Sequence, residues 1–293
     1  MGRKAKLDTA LPKVISFFSD HSPRALRLSH IDEIVYENRT SWGLAKATSP
    51  NPLVKILLEE SPLSLVKLKF RNRGFHVYTW GEVSVFELVQ ALGDKSYFSH
   101  HSAIFLHGLT EQIPKSVYLN TEQSPKPSYP TELSQPGIHR AFKRTPRTTN
   151  MVSTYDKYRI YLLNGKATGN FGVERQELDE GGSVNVTSLE RTLIDAVVRP
   201  FYAGGGFEIL KAYKAAHDSV SINRLNAMLH KLDYKYPYHQ CIGFLLEAAG
   251  VYSEEQIGLM QQNEIKYDFY LTHNMKNPSY SKRWKLFFPK GLQ

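Results

Sequence analysis

The sequence predicts an α+β protein with two domains, a winged helix-turn-helix domain over residues 1–80 and a larger mixed α+β domain over residues 81–293. A chain of 293 residues is about twice the usual domain size. Residues 1–80 contain 13 Lys and Arg against 7 Asp and Glu, a net charge of +6, whereas residues 81–293 contain 24 against 21, a net charge of +3. Within the first 80 residues, three helical patterns precede a hairpin pattern with a basic tip.

The composition excludes several classes of protein. Hydrophobic residues make up 41% of the chain and aromatic residues 12%, which is enough for a core and excludes disorder throughout. The single cysteine, Cys241, excludes a disulfide framework and a multi-cysteine zinc site. No apolar run reaches the roughly 18–20 residues that span a bilayer, and no signal peptide is predicted, so we expect a cytoplasmic protein without a membrane partner. The net charge of +9 favours a polyanionic partner.

Three helices are predicted in the N-terminal domain. The first has apolar residues at helical spacing, namely Leu11, Val14, Ile15 and Phe18. The second is predicted to start at the capping pair formed by Ser29 and Asp32. For the third, Asn51 suits the N-cap and Pro52 suits the first helical position.

A β-hairpin is predicted to follow the third helix. Residues 63–70 alternate between apolar side chains on one face and Lys67 and Lys69 on the other, which is typical of a strand. Residues 71–74 read Arg-Asn-Arg-Gly and have turn chemistry, and residues 75–80 form the second strand. Helices followed by a basic hairpin are the element order of a winged helix-turn-helix.

The small polar and basic residues of this domain favour DNA binding. A helix N-terminus presents unpaired N–H groups and partial positive charge to phosphate, and small side chains there allow a close approach to base edges in the major groove. A basic hairpin tip suits the phosphate backbone or the minor groove. The predicted DNA-binding residues are Thr48, Ser49, Asn51, Lys55, Lys67, Lys69, Arg71 and Arg73. The same pattern also fits a protein-interaction module with a solvated hairpin.

The second domain is predicted to mix helices with strands. Helices are predicted at residues 83–92, 97–106, 187–197, 206–216, 221–232 and 237–249, and strands at residues 116–120, 138–142, 157–163, 267–272 and 284–288. The strand at 138–142 and the residues after it contain a candidate additional basic surface, formed by Arg140, Lys143, Arg144 and Arg147. This surface could extend the DNA contact, receive an acidic partner, or simply protect a strand edge by its charge.

The sequence lacks the motif of a nucleotidyltransferase. That chemistry needs Gly-Ser followed by paired carboxylates, which hold magnesium against a triphosphate. Gly182 and Ser183 are followed by Asp195, but no second carboxylate stands two residues later. Asp195 is instead predicted to pair with Arg191, one helical turn earlier.

Other enzyme and metal signatures are also incomplete. The Glu-x-Lys motif at residues 264–266 has the shape of a restriction-type nuclease motif, but no upstream Asp stands at the usual spacing. His100, His101 and His107 do not share one helix face, and a zinc ion would need further ligands. We therefore predict no catalytic residue, no metal and no cofactor, and a protein that is not an enzyme.

Three segments of the second domain resemble the AbiEi-like antitoxins of type IV toxin–antitoxin systems. These segments are Tyr97–Thr110, Val186–Asp195 together with the Arg199-Pro200 and Gly204-Gly205 turns, and Tyr236–Glu247. The resemblance covers most of residues 84–250, and the N-terminal winged-helix pattern matches the layout of the family.

The resemblance implies a specific function. The winged-helix domain of such antitoxins binds inverted repeats upstream of its own operon and represses it, and the second domain counteracts a cognate nucleotidyltransferase-like toxin, often in phage defence. The sequence leaves open whether that toxin is contacted directly and whether the protein acts as a monomer or a weak dimer. The alternative is a winged-helix transcription regulator whose second domain senses a signal or binds a partner of another kind, and a third class is a nucleic-acid-processing enzyme.

Overall fold

A computed structural model describes residues 3–45, 49–125 and 132–292. Within these ranges the chain forms eleven α-helices and three β-sheets, which confirms the predicted α+β class. The N-terminal elements are α1 (Arg3–Asp20), β1 (Ala25–Leu26), α2 (Leu28–Asn38), α3 (Pro50–Glu60), β2 (Leu63–Lys69), β3 (Gly74–Trp80) and α4 (Val85–Gln90).

One hydrophobic core joins α1, α2 and α3 to the strands β2 and β3. Each helix contributes apolar residues spaced three or four apart, so that one face of each helix is buried. The strands contribute Leu63, Tyr78 and Trp80 to the same cluster. The ring of Phe18 on α1 stacks on Trp80, with ring centroids 5.5 Å apart.

The strands β1, β3 and β2 form an antiparallel sheet in that order. The register places Leu63 opposite Trp80 at one end of the hairpin and Lys69 opposite Gly74 at the other. Side chains of directly opposed residues lie on the same face of a sheet. Leu63 and Leu65 therefore share a face with Tyr78 and Trp80, and this face packs against the three helices.

Helix α3 begins two residues earlier than predicted. The expected N-cap was Asn51, but the helix starts at Pro50, and Ser49 is the N-cap with extended backbone angles of φ −85° and ψ 156°. Pro50 and Pro52 both suit a first helical turn, where the missing N–H would have no partner inside the helix. The prediction was wrong because it placed Pro52, rather than Pro50, in the first position.

The remaining elements follow from residue 97 onwards. They are β4 (Tyr97–Phe98), α5 (His101–Leu106), β5 (Ser116–Glu122), α6 (Gln135–Phe142), β6 (Val152–Tyr155), β7 (Tyr158–Gly165), β8 (Val173–Glu177), β9 (Ser183–Thr187), α7 (Leu189–Val198), α8 (Gly206–Ala215), α9 (Ile222–Leu232), α10 (Tyr238–Ala249), α11 (Glu254–Gln261), β10 (Phe269–Tyr270), β11 (Ser279–Ser281) and β12 (Leu286–Phe288). Six strands pair in the order β6-β7-β5-β4-β9-β8, and three pair in the order β10-β12-β11.

The helices α7 to α11 surround a second hydrophobic core. Their caps agree with the sequence patterns: Ser221 accepts a hydrogen bond from the backbone N–H of Arg224 at the start of α9. Gly250 ends α10 with φ +69°, a conformation in which glycine carries no steric penalty. The predicted helices in this region are therefore confirmed within a few residues.

Two predictions in the second domain were wrong. Residues 138–142 form part of helix α6, not a strand, because Ser134 caps the helix and Pro136 fits its first turn. Ile138 and Phe142 are then buried on one helix face. Residues 97–106 form a short strand and then a short helix, and His100 interrupts them with φ +56°.

The chain divides into two compact units, and neither is continuous in sequence. The first contains residues up to 96 together with residues 151–160 and 175–185, and the second contains the rest. The first unit therefore includes residues beyond the predicted boundary at residue 80.

Candidate nucleic-acid interface

The start of α3 presents small polar side chains to solvent. Ser49 and Asn51 are exposed on either side of the buried Pro50. The side chain of Ser49 forms no capping hydrogen bond. Because Pro50 and Pro52 have no backbone N–H, the N–H of Asn51 is the donor that remains free in the first three positions of the helix. The predicted contact residue Thr48 lies outside the described residues.

Helix α3 has one exposed stripe. Asn51, Lys55 and Leu58 are spaced by four and three residues and are all exposed, while the opposite face is buried in the N-terminal core. The exposed helix end carries Glu59 and Glu60. The exposed side of α3 is therefore polar and basic at Asn51 and Lys55 but apolar and acidic beyond them, so that only its first half suits a polyanion.

The hairpin places its two lysines on the face that packs against the helices. Lys67 lies opposite His76, and Lys69 lies opposite Gly74. These positions continue the face that carries Leu65 and Tyr78, but Lys67, Lys69 and His76 are exposed. The apolar side chains of this face are thus followed by basic side chains that extend beyond the core toward the tip.

The two arginines of the hairpin tip have different surroundings. Arg71 and Arg73 are both exposed, and the turn is closed by a hydrogen bond from the backbone N–H of Phe70 to the carbonyl of Arg73. The guanidinium of Arg73 lies over the ring of Phe75, 4.4 Å from its centroid. Phe75 lies opposite Leu68, so Arg73 is held on the face opposite to that of Lys67.

The exposed cations of α3 and of the hairpin have no acidic partner among the described residues. Salt bridges in that part of the chain include those of Arg27, His30, Arg191, Lys211, His217, Arg224 and Arg283, and none is formed there by Lys55, Lys67, Lys69 or Arg71. Like charges that are not neutralised within the protein produce a positive potential, which attracts a polyanion. The exposed residues Asn51, Lys55, Lys67, Lys69 and Arg71 are therefore candidates for phosphate contact.

The candidate additional basic surface belongs to the second unit. Arg140 lies on α6, Lys143 is the C-cap of that helix, and Arg144 and Arg147 follow it. All four side chains are exposed. Because the segment is helical, the interpretation as a charged strand edge was wrong, while the proposed contacts to DNA or to an acidic partner remain predictions.

Asp195 has the structural contact that its spacing predicts. Its carboxylate accepts a hydrogen bond from Nε of Arg191 at 2.9 Å, and both residues are buried on α7. The Arg191 guanidinium also donates to the carbonyl of Phe171 at 2.6 Å, and the hydroxyl of Tyr234 donates to Asp195 at 3.3 Å. This network connects α7 to Phe171 and Tyr234.

The three histidines near α5 make separate contacts. Nδ1 of His100 lies 2.7 Å from the hydroxyl of Ser99, and Nε2 of His107 lies 2.6 Å from the carbonyl of Thr187. Burial first, and then the charges of nearby arginines, lower the pKa of His100 well below its usual value. Within the described ranges, no three His, Cys, Asp or Glu side chains are placed to hold a metal ion.

Sequence reasoning missed His76 as part of the basic surface. It lies directly opposite Lys67 and is exposed. The signal was available, because the turn at residues 71–74 determines which residues of the two strands face each other.

Comparison with known proteins supports the fold only. No protein-family model and no curated protein matches the chain. Among solved structures, it is similar to the crystal structure of the RV2827C protein from Mycobacterium tuberculosis, at 12% identity and a TM-score of 0.57. The match covers 96% of this chain and 91% of that one, so the α+β arrangement is shared over nearly the whole length. Among the helices of the described residues, none has the length and apolar character needed to cross a membrane.

Proposed function

We propose that the N-terminal residues form a winged helix-turn-helix that binds duplex DNA. Three helices, a short strand and a hairpin share one core, with the sheet order β1-β3-β2. The observation that carries the proposal is the position of Lys67 and Lys69: both lie on the helix-facing side of the hairpin, beyond the core, and without an acidic partner in the described part of the chain.

Each element of this surface has a distinct task in the proposed complex. The start of α3 enters the major groove, where the small side chains of Ser49 and Asn51 and the backbone N–H of Asn51 come close to the DNA. Lys55, one turn later, contacts a phosphate or a base edge. The lysines of the hairpin contact the adjacent backbone, because a flexible ammonium on a strand accommodates any sequence.

We further propose that the protein is an antitoxin that represses its own operon and counteracts a cognate nucleotidyltransferase-like toxin, without enzymatic activity of its own. The support is the resemblance of residues 97–110, 186–195 and 236–247 to AbiEi-like antitoxins. Asp195 supports the non-enzymatic part, since no second carboxylate stands two residues later and its own carboxylate forms a buried salt bridge with Arg191. The expected DNA partner is an inverted repeat in its own promoter, and the expected context is phage defence.

A mobility-shift assay with the full chain tests the DNA proposal. We expect tighter binding to the chain's own upstream region than to unrelated duplex DNA at physiological salt. Asn51→Ala should reduce that preference, whereas Lys214→Gln, which removes an exposed charge on α8, should leave it unchanged. Equal affinity for both duplexes would contradict a specific repressor.

Co-expression tests the antitoxin proposal independently of DNA binding. The neighbouring gene is expressed alone and together with this chain, and growth is measured. We expect the neighbouring product to arrest growth and this chain to restore it, including when Lys67 and Lys69 are replaced by Gln. If the toxin still arrests growth when this chain is present, the antitoxin proposal is contradicted. The alternative, a DNA-binding regulator whose second domain has another role, would then remain.

A further inference from the structure

A small cavity lies within the first compact unit, between segments that are distant in sequence. Its volume is about 270 Å³. Helix α2 contributes His30, α4 contributes Glu87, Asp94 follows α4, and the strands β8 and β9 contribute Arg175, Ser183 and Asn185. This cavity takes no part in the proposed DNA contact.

Glu87 is the most unusual group in this cavity. It is 1% exposed, and its Oε1 accepts a hydrogen bond from the backbone N–H of Arg24 at 2.6 Å. Its Oε2 has no hydrogen-bond partner within the described part of the chain. A buried carboxylate oxygen without a donor is unfavourable, and a bound donor would relieve the cost.

The backbone leaves room for this carboxylate. Gly182 has φ +81°, and a Cβ at this position would lie 2.9 Å from Cδ of Glu87. A side chain at position 182 would therefore displace the carboxylate from the cavity.

A positive group lines the same cavity. Nε of Arg175 donates to the hydroxyl of Ser183 at 2.6 Å, which fixes one edge of the guanidinium. Its two terminal nitrogens carry further N–H groups in the fork geometry that binds a carboxylate through two hydrogen bonds. The lining therefore contains a negatively charged hydrogen-bond acceptor without a partner and a positively charged hydrogen-bond donor.

The other polar groups of the lining are already engaged. Asp94 accepts from Nη2 of Arg27 at 2.5 Å and lies 3.2 Å from Nε2 of His30. Asn185 donates its backbone N–H to Oε1 of Gln90 at 2.9 Å, and its Nδ2 lies within hydrogen-bond distance of two carbonyl groups. The groups left for a ligand are Oε2 of Glu87, Oδ1 of Asn185 and the terminal nitrogens of Arg175.

We propose that this cavity binds a small zwitterion with an ammonium and a carboxylate group, of the size of an α-amino acid. The ammonium donates to Glu87 and Asn185, and the carboxylate accepts from Arg175. The volume is sufficient for such a molecule. The proposal does not depend on DNA binding or on a toxin.

Ligand binding to the full chain tests this proposal. Each standard α-amino acid is added separately at about 10 mM, and the thermal unfolding midpoint is measured, because a ligand that binds only the folded state raises it. We expect at least one to do so. Its dissociation constant should then rise at least about tenfold in Glu87→Gln, which keeps the Oε1 acceptor, and in Arg175→Gln. The exposed residues Glu82 and Arg159, replaced by Gln, are the matched controls.

Three results would overturn the proposal. The first is no shift with any member of the panel, and the second is binding that neither variant weakens. The third is that ethylamine or acetate binds as tightly as the best amino acid. The site would then recognise one charged group and not a zwitterion. If Glu87→Gln does not fold, Arg175→Gln decides the question, since Arg175 is exposed and lies at the edge of the cavity.

Discussion

Replacing Lys67 and Lys69 together by Gln is the sharpest test of the proposed DNA surface. Both side chains are exposed, and neither forms a salt bridge with a described residue, so their loss should not change the free energy of unfolding by more than about 0.5 kcal/mol. Any large effect on DNA binding then reports on the contact and not on the fold.

The magnitude follows from counterion release. Each phosphate that a protein neutralises on duplex DNA contributes about −0.9 to the slope of log K against log salt concentration. The loss of both lysines should therefore make that slope less steep by about 1.8, equally on operator and unrelated DNA. Arg73→Gln should change the slope less per charge, because its guanidinium lies over Phe75 on the opposite face.

Fluorescence anisotropy at several salt concentrations between about 50 and 200 mM measures the slope directly. The control is Lys214→Gln, which removes one exposed charge outside the first unit. An unchanged slope for the double variant would remove the hairpin from the DNA contact. A larger effect per charge from Arg73→Gln would show that the opposite face of the hairpin meets the DNA.

Two further predictions concern stability. Gly243→Ala should lower the free energy of unfolding, measured in urea, by about 1–3 kcal/mol, because its Cβ would lie 2.1 Å from the buried ring of Trp284. The control is Gly258→Ala, whose Cβ would meet no atom within 4 Å. It should raise the free energy of unfolding by up to about 1 kcal/mol, because Ala has the higher helix propensity. A stable Gly243 variant would contradict the packing described here. Burial lowers the pKa of His100, so the unfolded state binds more protons below about pH 6.5 and stability falls as the pH falls. In His100→Asn that loss should be smaller by up to about 1.4 kcal/mol per pH unit. The free energy of unfolding is measured for both proteins at pH 7 and pH 5, and an equal decrease in both would refute the prediction.

Local patterns predicted the elements that have strong caps and long apolar stripes. The helix that follows Ser221 and the helix that ends at Gly250 both satisfy these conditions, and both are present. The hairpin at residues 63–80 was predictable because its turn and its alternation agree on one register. In each case the residues that predict the element lie within it or directly beside it in the sequence.

The predicted strand at residues 138–142 shows where such reasoning fails. A run of five residues is too short to distinguish a period of two from a period of 3.6. The deciding residue was Ser134, whose side chain accepts a hydrogen bond from the backbone N–H of Gly137 and starts the helix. The strands at residues 152–155 and 173–177 escaped prediction because their exposed positions are polar and they depend on neighbouring strands for stability.

Features that depend on distant segments could not be predicted at all. In the sequence, Glu87 is an ordinary acid within a predicted helix, and Arg175 lies in a segment for which no helix or strand was predicted. Only the folded chain brings β8 and β9 beside α4, where one carboxylate oxygen is left without a partner. The cavity is thus a product of tertiary structure, whereas the basic hairpin is a product of local sequence.

The alternation of the hairpin connects the core to the proposed interface. In a strand, side chains alternate between faces, so Leu63 and Leu65 in the core require Lys67 and Lys69 on the same side. A shift of the register by one residue would expose the two leucines and turn both lysines away from α3. The burial of the apolar pair therefore also holds the basic pair in position. Because the same alternation serves stability and charge placement, the direction of the lysines is as well determined as the core itself.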